Sequence, residues 1–138
     1  LISVLILFTS TIFVDFYIKH PLLMFFLLIL ISITFSLFGF IVGIWATNFE
    51  KLQLIPLLII TPLVFLGGSF YSVEMLPELW QFVTKFNPIF YVINGFRWSF
   101  FGTADIAITT SLSFMITFLF ICLIIIGLIF KTGYRIKG

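Results

Sequence analysis

Apolar residues come in long unbroken runs along this chain, and polar residues are gathered into short breaks between them. Leu1 to Val14 is apolar over about fourteen residues, Leu22 to Thr47 runs for about 26 without a charge, and Leu54 to Val73 adds about twenty. A last run closes at Phe130 within the segment 106–130, and the tail KTGYRIKG, 131–138, carries Lys131, Arg135 and Lys137. Since about 18 or more apolar residues suffice to cross a bilayer as a helix, the pattern predicts an all-α, polytopic membrane helix bundle. Residues 1–14 read as the outer end of a span whose beginning is missing, and 22–47, 54–73 and 106–130 as full spans. The breaks DFYIKHP and NFEKLQ are short enough to join antiparallel neighbours.

Between the last two spans lies a different stretch, Leu66 to Gly102, which holds Glu74, Glu78, Lys85 and Arg97. Two prolines divide it, each where a helix would begin. Pro77 needs no N–H at a first helical turn, and Glu78 suits the positive end of the dipole; Asn87 can cap a helix opened by Pro88. The segment Pro77 to Phe86 sets Leu79, Phe82, Val83 and Phe86 on one face at helical spacing, the pattern of a helix lying in an interface. Pro88 to Phe101 is more apolar, but fourteen residues at about 1.5 Å each give about 21 Å, short of the roughly 30 Å of hydrocarbon. Residues 77–101 are therefore expected to form a short re-entrant or interfacial helix pair.

Within the spans, the small residues are ordered. Ser32, Ser36, Gly39, Gly43 and Ala46 recur at helical spacing and form one stripe, which predicts a close helix contact because helices in lipid associate through tight packing; glycine is also simply common in membrane helices. Pro62 is interior to its run and predicts a kink. With Gly67 and Gly68 it marks a helix that is loose or closely approached by a neighbour.

Composition agrees with the pattern: 62% of residues are hydrophobic, 9% are charged and 21 are phenylalanine, with mean hydropathy +1.33. Such a chain is an integral membrane protein. A net charge of +2 with no basic run gives no footprint for nucleic acid. One cysteine, Cys122, excludes an internal disulfide, and one histidine, His20, excludes a histidine-based zinc site. The chain opens at Leu1, without Met and in mid-hydrophobic sequence, and reads as the C-terminal part of a longer protein. With the tail cytoplasmic, four basic residues (Lys51, Lys131, Arg135, Lys137) lie inside and three (Lys19, Lys85, Arg97) outside, a small bias in the expected direction.

Catalytic constellations are missing. GLIFKT, 127–132, lacks the glycine a phosphate loop needs before its lysine. Gly67-Gly68-Ser69 is not a nucleophile elbow, and Glu74 and Glu78 straddle Leu76-Pro77 out of helical register. No catalytic, cofactor or metal residue is assigned. The polar edge Tyr91, Asn94 and Arg97, spaced by threes on an aromatic helix, stands out instead. A charge at membrane depth costs about 2.5–3.5 kcal/mol on insertion scales, so Arg97 must snorkel to the interface, pair with Asp105 or Glu74, or meet substrate.

The stretch ITPLVFLGGSFYSVEMLPELWQFVTKFNPIFYVINGFRWSFFGTADI resembles the signature region of permease subunits of type-2 ATP-binding-cassette exporters, in which TPL-x-FLGG-x-FY is followed by MLP, FNP and GFR. The resemblance is strongest over 54–105. It implies six spans with cytoplasmic termini, of which this chain holds the end of the third and the fourth to sixth, in a bacterial inner membrane. It further implies a second permease subunit as homo- or heterodimer, and a separate cytoplasmic subunit that binds ATP and magnesium. The implied activity is export of lipids, glycoconjugates or drugs, with this chain forming half of the path. A non-transporting membrane anchor or assembly subunit is the alternative. The first two spans and the main coupling helix fall outside this sequence.

Overall fold

The computed structural model describes residues 1–15 and 17–133, all of whose regular structure is helical. The chain runs through α1 (Ile2–Phe13), α2 (Pro21–Trp45), α3 (Phe49–Ile55), a π-helical turn (Pro56–Ile60), α4 (Thr61–Leu66), a 3-10 turn (Val73–Met75), α5 (Glu78–Thr84), α6 (Pro88–Phe101) and α7 (Ile108–Thr132). Among the described residues three helices are long and apolar enough to cross a membrane: Pro21–Trp45, Ile108–Thr132, and the continuous rod Phe49–Leu66 formed by α3, the π turn and α4. The basic tail residues Arg135 and Lys137 lie outside the described residues.

The core joins α2, α6 and α7 through Leu27, Leu30, Phe90, Tyr91 and Met115. Below it, α2 and α7 stay together through aromatic contacts: Phe35 and Phe38 meet Phe118, with ring centroids 6.3 and 6.0 Å apart, and Phe40 meets Phe130 at 6.1 Å. Position rises along both helices together, so α2 and α7 run parallel. Such offset and tilted ring pairs suit the aromatic quadrupole.

Two expectations need correction. The span read over 54–73 begins earlier, at Phe49, and ends earlier, at Leu66. Asn48 occupies the N-cap position, so most of the polar break NFEKLQ is helical. At the other end Gly68 takes φ +83°, a left-handed conformation that stops a helix. Gly67 and Gly68 therefore terminate the rod rather than loosen it from within. Gly67 is also closely approached, since a Cβ there would meet Ile93 Cδ1 at 2.9 Å. Upstream, Pro62 supplies no N–H to the helical ladder, and the preceding turn widens: the Thr61 N–H donates to Pro56 O, five residues back. A π turn beside proline absorbs the ring that would otherwise strike the preceding turn.

The second correction concerns the small-residue stripe. Ser32, Ser36, Gly39 and Gly43 are exposed and Ala46 is half-buried, and a Cβ at Gly39 or Gly43 would meet nothing within 4 Å. Among the described residues no close helix contact forms at Gly39 or Gly43. The packed face of α2 is the one carrying Met24, Leu27, Leu30 and Thr34, because α6 and α7 offer large apolar side chains to that side.

Candidate functional site

The stretch between α4 and α7 folds into a helical hairpin, α5 then α6, set against the ends of the spanning helices. Its descent starts at Pro77, the residue before the first helical position, with Glu78 in the first turn. Its turn is fixed by Asn87, whose Oδ1 accepts the Ile89 N–H at 3.0 Å as an N-cap and whose amide donates to Leu63 O at 2.6 Å. Thr84 Oγ1 adds a bond to Leu66 O at 3.3 Å. On the far side Tyr91 stacks on Phe114 of α7 with centroids 3.9 Å apart. Phe114 lies six residues past the start of α7, so the turn reaches about 9 Å below the end of that helix. The hairpin turns back beside α7, and α6 runs antiparallel to it.

The polar edge of α6 is used up in ties to other elements. Tyr91 donates its hydroxyl to Lys85 O at 2.7 Å, closing the hairpin on itself. Asn94, 1% exposed, donates its amide to Ile106 O at 3.0 Å and to Ser111 Oγ at 2.7 Å, and accepts the Ile106 N–H at 3.2 Å. Arg97 divides its guanidinium. Nη1 pairs with Asp105 Oδ2 at 3.0 Å and Nη2 donates to Gly68 O at 2.6 Å. The Ser72 hydroxyl donates to the other Asp105 oxygen at 3.4 Å. One side chain thus links the end of α4, the connection before α7 and α6 itself.

The base of α2 is tied in by backbone. Lys19 and His20 donate their N–H groups to Phe100 O and Ser99 O at 3.3 and 2.9 Å, and the His20 ring stacks on Trp98 at 4.2 Å. Every helix meeting at this end is therefore held by α6. The sequence points to Asp105 as one of two carboxylates for Arg97, and Asp105 takes it, while Glu74 does not. It does not reveal Gly68 O, Ser111 or Leu63 O as acceptors. The hydroxyl of Ser111 in an apolar helix was the only available signal.

What this arrangement can do is mechanical. Among the described residues no group of three His, Cys, Asp or Glu side chains converges as metal ligands would, and the charged pair at the centre is neutralised within the fold. Charge-assisted bonds of this kind are about twice as strong as neutral ones, and they reinforce the neutral bonds of Asn87 and Asn94 between the same segments.

Comparison with known proteins gives the context. A family model described as ABC-2 type transporter matches residues 1–101. The chain is 36% identical over 118 residues to the inner membrane transport permease YadH of Escherichia coli K12, covering 86% of this chain and 46% of that protein. The permease of the same name from Shigella flexneri is matched to the same extent. The chain thus spans about half the length of the curated relatives it matches. No solved structure matches it. The matched segment takes in the spans α2 and α3–α4 and the whole hairpin with its polar edge, and this integral membrane chain belongs to the ABC-2 type transporter family.

Proposed function

We propose that this chain forms part of the transmembrane subunit of an ATP-driven exporter, contributing to half of a translocation path while a cytoplasmic partner binds and hydrolyses ATP. The observation that carries the reading is the ABC-2 match over residues 1–101, supported by the transport permeases to which the chain is similar. The geometry adds a part for the hairpin. With α4 and α7 bound to α6 by Asn87, Asn94 and Arg97, and the start of α2 by the backbone bonds of Lys19 and His20, this end of the bundle moves as one body, as rocking transport requires. On this reading the end is extracytoplasmic, the C-terminus is cytoplasmic, and a second permease subunit completes the path for lipids, glycoconjugates or drugs.

The test is reconstitution of the full-length protein with a partner ATPase that co-purifies with it, in vesicles carrying a fluorescent lipid analogue, a labelled glycoconjugate or an amphiphilic dye. ATP-dependent movement of one of these, lost when the phosphate-loop lysine of the ATPase is replaced, is the expected result. A stable complex that hydrolyses ATP and moves none of the three would favour the anchor or assembly reading and overturn this one.

A further inference from the structure

Beside the polar edge of α6, a cavity of about 300 Å³ opens between α5, α6 and the start of α7. Its floor is apolar, built by Phe90, Tyr91 and Ile106, and its rim carries Glu74 and Lys85. Asp105 also borders it but is already neutralised by Arg97. Among the described residues the Glu74 carboxylate and the Lys85 ammonium have no hydrogen bond or ion pair of their own. The cavity thus offers one unspent negative and one unspent positive charge above an apolar floor.

Their order along α5 is fixed by the hairpin. The Gln81 amide donates to the backbone oxygens of Glu74 and Leu76 at 3.4 and 2.8 Å, which sets Glu74 level with Gln81. Lys85, the residue that caps α5, lies four residues on, about 6 Å further along its axis, beside the turn that is tied to Leu63. Phe82, one residue past Gln81, and Phe86, one past Lys85, are 60% and 68% exposed. Along α5 the cavity wall therefore presents a carboxylate and then an ammonium, with bare aromatic rings on the adjoining side of the helix at both levels.

We propose that this cavity holds the head group of a zwitterionic phospholipid of the ethanolamine type, with its ammonium on Glu74, its phosphate on Lys85 and its acyl chains along Phe82 and Phe86. Such a lipid carries its ammonium and its phosphate in the same order, with hydrocarbon beside them for the exposed rings. About 300 Å³ is at the small end of ligand pockets, which fits a head group and leaves the chains outside. An anionic lipid without an amine would satisfy Lys85 but leave Glu74 facing it unpaired. The inference goes beyond the transport reading and does not depend on it, since a bound lipid is required whether or not the protein transports.

The experiment uses the full-length protein in detergent, equilibrated with mixed micelles of dioleoyl phosphatidylethanolamine or dioleoyl phosphatidylglycerol, with retained lipid counted by native mass spectrometry. Preferential retention of the ethanolamine lipid is expected. Lys85→Gln should lower that retention about tenfold, the size of one charge-assisted bond, and Lys85→Arg should preserve it. Glu74→Gln should remove the preference by bringing the two lipids level. Both side chains are exposed and bond to nothing, so the variants should elute and unfold as wild type does. Equal retention of the two lipids by the wild-type protein, or unchanged retention in Lys85→Gln and Glu74→Gln, would overturn the proposal. Free phosphoethanolamine forms a separate arm: its displacing the lipid at millimolar concentration would assign the site to a soluble zwitterion and sink the lipid assignment.

Discussion

Replacing Arg97 tests whether the clamp on α6 holds the bundle together. Arg97 makes two charge-assisted bonds, at 3.0 Å to Asp105 Oδ2 and 2.6 Å to Gly68 O, from a site where the two side chains are 28% and 19% exposed. Hydrogen bonds to charged groups contribute about 1.5–3 kcal/mol each, and partial exposure argues for the lower end. Arg97→Ala removes both bonds and leaves Asp105 with only a long contact to Ser72, so a cost of about 3 kcal/mol is expected. Arg97→Lys keeps the charge but loses the planar fork that reaches two acceptors on different segments, for about 1.5 kcal/mol. Asp105→Asn should cost a similar amount. The measurement is equilibrium unfolding of the full-length protein in mixed micelles, followed by tryptophan fluorescence, with Trp98 one residue from Arg97. In the double variant Arg97→Ala with Asp105→Ala the losses should be less than additive by about 1 kcal/mol or more. Strict additivity, or an Arg97→Lys protein as stable as wild type, would mean that Arg97 merely snorkels. Expression and transport are read separately, because loss of transport at normal abundance points to gating rather than folding.

Asn94→Ala leaves Ser111 and both backbone groups of Ile106 without their buried partner, at about 1–3 kcal/mol for each group left unsatisfied; a loss of about 3 kcal/mol is expected against about 1 for Ser111→Ala, and equal costs in the same unfolding assay would show that Ile106 is not held by Asn94. Gly43→Leu should leave the stability of the isolated chain unchanged, since nothing lies within 4 Å of a Cβ there, while weakening association between subunits on size-exclusion chromatography; an unaltered oligomer would leave the stripe facing lipid. Cysteines in place of Glu78 and of Lys85, both exposed, should react with an impermeant thiol reagent from outside intact cells, and labelling of either only after lysis would invert the proposed topology.

Much of the fold could be read from hydropathy because a spanning helix carries its own signal: length and lack of charge suffice. Segments 22–47 and 106–130 correspond to α2 and α7 within two residues at either end. Helix termini governed by a single conformation were legible too, as with Asn87 before Pro88, where the cap and the missing N–H are local properties. The run 54–73 was misjudged because apolar composition does not register a backbone reversal. Gly68 stops the rod through its positive φ, while Ser69 to Val73 remain hydrophobic enough to look like more helix. Hydropathy likewise could not show that Glu50 and Lys51 sit inside a helix, since polar residues near a membrane surface are as compatible with a first turn as with a loop.

The site divided along the same physical line. Its donors were visible: Tyr91, Asn94 and Arg97 are polar side chains on an apolar helix, and spacing by threes puts them on one edge. Most of their acceptors were not, because Lys85 O, Gly68 O and Ile106 O are backbone oxygens, as is the Leu63 O that Asn87 reaches, and no sequence pattern distinguishes them. Gly68 lies 29 positions from Arg97 and Leu63 lies 24 from Asn87, so only the fold brings them together. These oxygens need partners for a reason already present in the chain. A helix ends with unpaired carbonyls, and in hydrocarbon each one left unsatisfied costs several kcal/mol. Where α4 stops at Leu66, Leu63 O and Leu66 O are answered by Asn87 and Thr84 of the hairpin, Val64 O and Phe65 O by Ser69 and Tyr71 of the connection that follows, and Gly68 O just beyond by Arg97. The early stop of the rod and the polar side chains of the hairpin are thus linked, and a hairpin lacking Asn87, Thr84 and Arg97 would leave Leu63 O, Leu66 O and Gly68 O without these partners.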